Sequence, residues 1–168
     1  MDLQLLPLTP ADLPQFKNDL QEAFQKAAAA EFKNLTATVL PEADIDKSLN
    51  APDAAAYKAV SGGKMIGGAI VNINAATQHN HLDLLYVKCG TQSRGTGIAI
   101  WQMLEKLYPD TIEWETCTPY FEKRNIHFYI NRCGFSAVEF FNPHHPDPTI
   151  TPDLVGGDYF FRFVKKMK

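Results

Sequence analysis

Gln92-Ser93-Arg94-Gly95-Thr96-Gly97 is the stretch whose reading decides the fold. Ahead of it stands His81-Leu82-Asp83-Leu84-Leu85-Tyr86-Val87, an apolar run bounded by Gly90 that predicts a buried strand. Behind it, the residues from Ile98 to Leu107 put Ile100, Trp101, Leu104 and Leu107 on one helical face. A strand, a loop of small residues and a helix start together make an anion site. The first backbone N–H groups of a helix have no partner within it, and its dipole presents positive charge at that end. Gly95 and Gly97 carry no Cβ, so a phosphate can approach the backbone closely. The stretch predicts a phosphorylated ligand.

Two common phosphate loops are excluded. The P-loop ends in Gly-Lys-Ser/Thr, and nothing like it follows Gly97. The dinucleotide fingerprint wants a small residue three places beyond Gly97, where Ile100 stands. The pattern Gln/Arg-x-x-Gly-x-Gly/Ala after a strand ending in Val, with Val87 five positions before Gln92, resembles the acyl-CoA signature of the GNAT family of N-acetyltransferases. A second stretch, Asn125-Ile126-His127-Phe128-Tyr129-Ile130-Asn131-Arg132-Cys133-Gly134-Phe135, is similar to that family's last helix, which ends in a Tyr followed shortly by Gly-Phe, here with one residue more than usual between the Tyr and the Gly. Gly134 suits a helix C-cap, and Phe135 opens the next strand. Between them, Thr111-Ile112-Glu113-Trp114-Glu115-Thr116-Cys117 alternates as a strand does.

The resemblance implies an α/β (α+β) fold: a mixed central sheet of about six to seven strands, flanked by helices and splayed at its two central strands. The N-terminal half agrees in element order. A strand over 3–8 precedes an amphipathic helix running to about Phe32 with Phe16, Leu20, Ala23, Phe24 and Ala27 on its apolar face. A short helix follows over 41–49, then a hairpin of 55–60 and 65–73 around Ser61-Gly62-Gly63-Lys64. After a strand over 135–141, Asn142 to Gly157 carries Pro143, Pro146, Pro148 and Pro152, an excursion long enough to suggest either substrate contact or a covering loop. A last strand runs over 158–165. One domain over 1–168 is expected from length.

Composition narrows the classes. Hydrophobic residues are 45% and charged residues 21%, which fits a globular chain and not a disordered one. No apolar run approaches the roughly 18–20 residues that cross a bilayer, and Met1-Asp2-Leu3-Gln4 starts no signal peptide. A net charge of −3 gives no general pull toward nucleic acid. Three scattered cysteines make no disulfide framework, so the expected setting is a reducing cytoplasm. His79 with His81, and His144-His145 far downstream, lack the tight ligand pairs of a structural zinc site, and no metal is expected.

The resemblance also assigns roles. Gln92, Ser93, Arg94, Gly95, Thr96 and Gly97, with the Ile98 amide, would hold the pyrophosphate of acetyl-CoA, the acyl donor. Backbone groups near Val87 and Cys89 would face the pantetheine arm, with the Val87 N–H as oxyanion donor. Asn125 would cap its helix and bond the pantetheine amides, although the family's Asn lies where Glu122 stands here. Tyr129 would protonate the leaving thiolate, since a phenol keeps its proton at neutral pH. Strand alternation puts residues 81, 83, 85 and 87 on one face, so His81 and Asp83 are candidates for the base, with Glu113 and Glu115 competing from the neighbouring strand. Cys89 has no dedicated base beside it, and packing or cofactor contact is its expected part. The expected function is acetyl transfer to a primary amine of a small molecule or peptide. The alternative is a binding module that keeps coenzyme A but has lost turnover. A homodimer is compatible with the resemblance.

Overall fold

The computed structural model describes residues 2–91, 95–149 and 158–168. Its strands are β1 (Leu3–Pro7), β2 (Ala54–Ser61), β3 (Lys64–Asn72), β4 (His79–Val87), β5 (Glu113–Pro119), β6 (Ser136–Phe141) and β7 (Phe160–Lys166). Its helices are α1 (Leu13–Glu31), α2 (Glu42–Leu49), α3 (Thr96–Leu107) and α4 (Lys123–His127), the last continuing as a π turn over Phe128–Cys133. These strands form one sheet in the order β1-β2-β3-β4-β5-β7-β6. Every neighbouring pair is antiparallel except β4 with β5.

Each face of the sheet is buried by a different set of helices. On one side Phe16 and Leu20 of α1 and Ile45 of α2 pack on Met65, Ile70 and Tyr86. On the other, Ile100, Trp101 and Leu104 of α3 join Val71, Leu82, Trp114, Tyr129 and Phe163. Trp101 and Trp114 are fully buried edge to face, 5.2 Å between centroids. Glycines in β3 let both layers come close. A Cβ on Gly68 would lie 2.6 Å from the Phe16 ring, and one on Gly67 3.0 Å from Ile100 Cδ1.

Two irregularities interrupt the middle of the sheet. The first is a bulge in β4: Val71 pairs with Leu82 and Ile70 with Leu84, which leaves Asp83 as an extra residue. The second is a fork. β4 and β5 pair from His79↔Glu113 to Leu82↔Thr116 and no further, although β4 continues to Val87 and β5 to Pro119. Buried Asn80 braces the closed end of this pair. Its Oδ1 accepts from the Asn74 N–H at 2.8 Å, and its Nδ2 donates to Thr111 Oγ1 at 2.8 Å.

Candidate functional site

A cleft of about 620 Å³ opens where β4 and β5 part. Ala23, Phe24 and Ala27 of α1 form one wall, Leu85 to Val87 the floor, and Gly97, Asn125 and Phe128 the opposite wall. A second hollow of about 420 Å³ shares Val87 and Glu122 with the first and is lined further by Lys88, Cys89, Gly90 and Thr91.

The floor has the right polarity for a carbonyl. Backbone N–H groups alternate sides along a strand, and the Lys88 N–H donates to Ile66 O of β3 at 2.9 Å. The Val87 N–H therefore faces the opposite edge, into the fork that β5 has vacated. At the cleft's end, Gly95 caps α3 in the left-handed region (φ 86°), a conformation suited to a residue without Cβ. Intrahelical bonding begins with the Ala99 N–H on Gly95 O at 3.0 Å. The amides of Thr96, Gly97 and Ile98 thus lie in the first turn, where a helix end attracts anions. Gly97 is needed for another reason: a Cβ there would sit 3.2 Å from Phe128 Cε1 and 3.8 Å from Val87 Cγ2. Gln92, Ser93 and Arg94, assigned to the pyrophosphate from sequence, lie outside the described residues, as does 150–157 of the proline-rich excursion.

Asn125 lines the cleft but does not cap α4. Glu122 stands at the N-cap position, without a side-chain bond to the helix, and lies at the junction of the two hollows. Burial, and then the nearby Glu31 carboxylate, hold Glu122 above its ordinary pKa. In the sequence Glu122 stands out only as the position where the family's Asn is missing.

Tyr129 is not on the cleft surface. It is 6% exposed, beneath Phe128, with its ring against Phe135 and Phe163. Thr116 is the polar side chain that acts on its hydroxyl, and Thr116 Oγ1 donates to Leu82 O at 2.9 Å. Leu82 and Thr116 form the last rung before the fork, so the phenol, within reach of Thr116, lies near its apex. Burial above all raises the Tyr129 pKa and keeps the group protonated. The π turn accounts for the Tyr-to-Gly spacing. It absorbs the additional residue, and Gly134 then closes the helix at φ 89°, its N–H on Tyr129 O.

The expectation that 81, 83, 85 and 87 share a face is corrected by the bulge. Leu85 and Val87 pack with the α3 layer. Asp83 instead meets α2, where the Ser48 hydroxyl donates to Asp83 Oδ2 at 2.8 Å. His81 and Asp83 remain together, with His81 Nδ1 2.6 Å from Asp83 Oδ1. On β5, Glu115 Oε2 lies 3.8 Å from His81 Nε2, and Arg162 of β7 binds Glu115 at 2.6 Å and Glu139 at 2.9 Å. Glu113 pairs with His79 at 3.4 Å, apart from this group. Burial of the His81 ring opposes its charge, but Asp83, and after it Cys117, outweigh that, raising His81 from 6.5 to about 10. None of these long-range partners, Ser48, Cys117 or Arg162, carries a local sequence signal.

Comparison with known proteins agrees with this geometry. A family model described as Acetyltransferase (GNAT) family matches residues 13–135. The uncharacterized protein YrkN of Bacillus subtilis (strain 168) is 48% identical over 166 residues, covering 94% of this chain and 90% of the relative. The PaiA N-acetyltransferase from Thermoplasma acidophilum, solved in complex with coenzyme A, superposes with a TM-score of 0.70 at 17% identity over 99% of each chain. The spermidine N-acetyltransferase from Vibrio cholerae, solved with CoA and spermine, gives 0.69 at 12% identity over 98% of this chain and 95% of that one. Identities this low establish the shared fold. A forked sheet, a glycine-capped helix at its mouth and a family match across most of the chain have one meaning: this chain belongs to the GNAT family of acetyltransferases.

Proposed function

We propose that this chain transfers an acetyl group from acetyl-CoA to a primary amine by direct attack in a ternary complex. The observation that carries the reading is the fork, with the Val87 N–H directed into it and the α3 amides at its mouth. The diphosphate would rest on the first turn of α3 and the pantetheine along the cleft floor. The thioester carbonyl would then accept the Val87 N–H, a donor of a kind worth about 10²–10³ in rate. The amine nitrogen forms a bond to the carbonyl carbon as the C–S bond breaks. Its surplus proton passes to the carboxylates of the acidic group around His81, Asp83 and Glu115, and the departing thiolate takes a proton from Tyr129 across the apex of the fork. Asp83 and Glu115 supply the negative charge that attracts a cationic amine. The spermine bound in the Vibrio cholerae complex is a polyamine of this chemical type.

The burial of Tyr129 favours a second reading, a coenzyme A-binding module without turnover, in which the phenol only packs. Calorimetric titration with CoA and a thiol-release assay over a panel of amines separate the two. The enzyme reading expects CoA release with at least one amine. It also expects Tyr129→Phe to lower kcat by about 10²–10⁴ while CoA affinity stays within about twofold. CoA binding without release for any amine, or an unchanged kcat in Tyr129→Phe, refutes the corresponding role.

A further inference from the structure

Ser48, Asp83 and His81 are the three residue types of a hydrolytic triad, joined in a different order. The Ser48 hydroxyl donates to one oxygen of Asp83 at 2.8 Å, and His81 occupies the other at 2.6 Å. A nucleophilic serine must give its proton to the imidazole. Here it gives it to the carboxylate, so the hydroxyl is a fixed donor. Its place on α2 is also fixed. Ile45, one turn earlier on the same face, is fully buried against the sheet, and Leu49 packs into the same layer. At the other end of the group, Arg162 holds Glu115 beside His81 Nε2. Asp83 is the extra residue of the bulge, so the regular pleat does not dictate where its side chain points. Something outside the strand must do so.

We propose that Ser48 is a positioning residue: from α2 it orients the bulged Asp83 carboxylate and thereby fixes the His81 imidazolium between Asp83 and Glu115, so that this acidic group faces the acceptor in one arrangement. This inference rests on the acetyltransferase reading for its kinetic part alone. The groups facing His81 are Asp83 on its own strand and Glu115 and Cys117 on β5. Ser48 from α2 and Arg162 from β7 act on it through the carboxylates.

The test compares the full-length chain with Ser48→Ala and Ser48→Thr. The His81 ring resonances, assigned with His81→Gln, are titrated by NMR, and steady-state kinetics are measured across pH. In Ser48→Ala the His81 midpoint is expected to fall toward 6.5 by about one unit or more. The same variant should lose about tenfold in kcat, with KM for acetyl-CoA unchanged. Ser48→Thr, which keeps the hydroxyl, should restore both. A midpoint that stays or rises in folded Ser48→Ala overturns the proposal. If that variant does not fold, Ser48→Cys, close in shape but a weak donor, carries the same comparison. Should the wild type release no CoA with any amine, the enzymatic reading fails, while the NMR midpoint still decides the role of Ser48.

Discussion

Adding one methyl group at Gly97 tests whether the wall of the cleft is braced. In Gly97→Ala the new Cβ would lie 3.2 and 3.3 Å from Phe128 Cε1 and Cζ and 3.8 Å from Val87 Cγ2. The Phe128 contacts are tighter than ordinary van der Waals packing, so the ring has to yield by a few tenths of an ångström. Behind it stands the Tyr129 ring, with centroids 5.3 Å apart inside the core, so the easier retreat is into the cleft. Overpacking of this kind costs about 1–3 kcal/mol, and alanine in place of glycine within a helix returns about 1 kcal/mol. The net loss of roughly 0–2 kcal/mol moves Tm by less than about 8 °C in a chain of this size. Coenzyme A affinity, by contrast, should fall at least about tenfold, since the wall moves into the ligand's path; at 1.4 kcal/mol per decade that is a small steric penalty. Gly95→Ala is the counterpart. Its Cβ meets only Ile98 Cγ2 at 3.8 Å, but at φ 86° a side chain costs about 1–2 kcal/mol. Differential scanning calorimetry with CoA titration reads both variants. If Gly97→Ala bound CoA as tightly as the wild type, the claim that Phe128 and α3 jointly shape the cleft would be wrong.

Two more outcomes concern the closed end of the fork and His81. Asn80→Ala leaves the Asn74 N–H without its acceptor at 2.8 Å and Thr111 Oγ1 without the donor it has at 2.8 Å, while the Thr111 hydroxyl keeps Tyr108 O. The expected loss is about 2–3 kcal/mol, a Tm lower by roughly 4–12 °C, while an unchanged Tm would show that these bonds are dispensable. For His81, the folded-state pKa of about 10 exceeds the ordinary 6.5, so its contribution to stability is full below pH 6.5 and is lost as pH rises through 10. Thermal unfolding measured from pH 6 to 10.5 should show this decline in the wild type and a flatter profile in His81→Gln.

The parts of the fold that could be read in advance were those written locally. The helix face of Phe16, Leu20 and Phe24, the glycine pair at the start of α3 and the Gly134 cap each depend on residues near one another in sequence. Even the π turn left a trace, in the spacing from Tyr129 to Gly134. The bulge at Asp83 left none, because it is set by which residue of β3 lies opposite, and alternation within β4 alone carries no information about that register. For the same reason Ser48, 35 positions from Asp83, and Arg162, 47 positions from Glu115, entered only with the tertiary structure. Strand limits shifted modestly: β4 begins at His79 rather than His81, and β5 runs over Glu113–Pro119 rather than 111–117.

A strand whose pleat changes phase at Asp83 carries two independent sets of positions in one segment. Up to the bulge, its outward positions answer to the polar group shared with β5 and β7; after it, they answer to the ligand cleft. A substitution in the first half leaves the second in register, so the polar group can vary without disturbing the cleft floor.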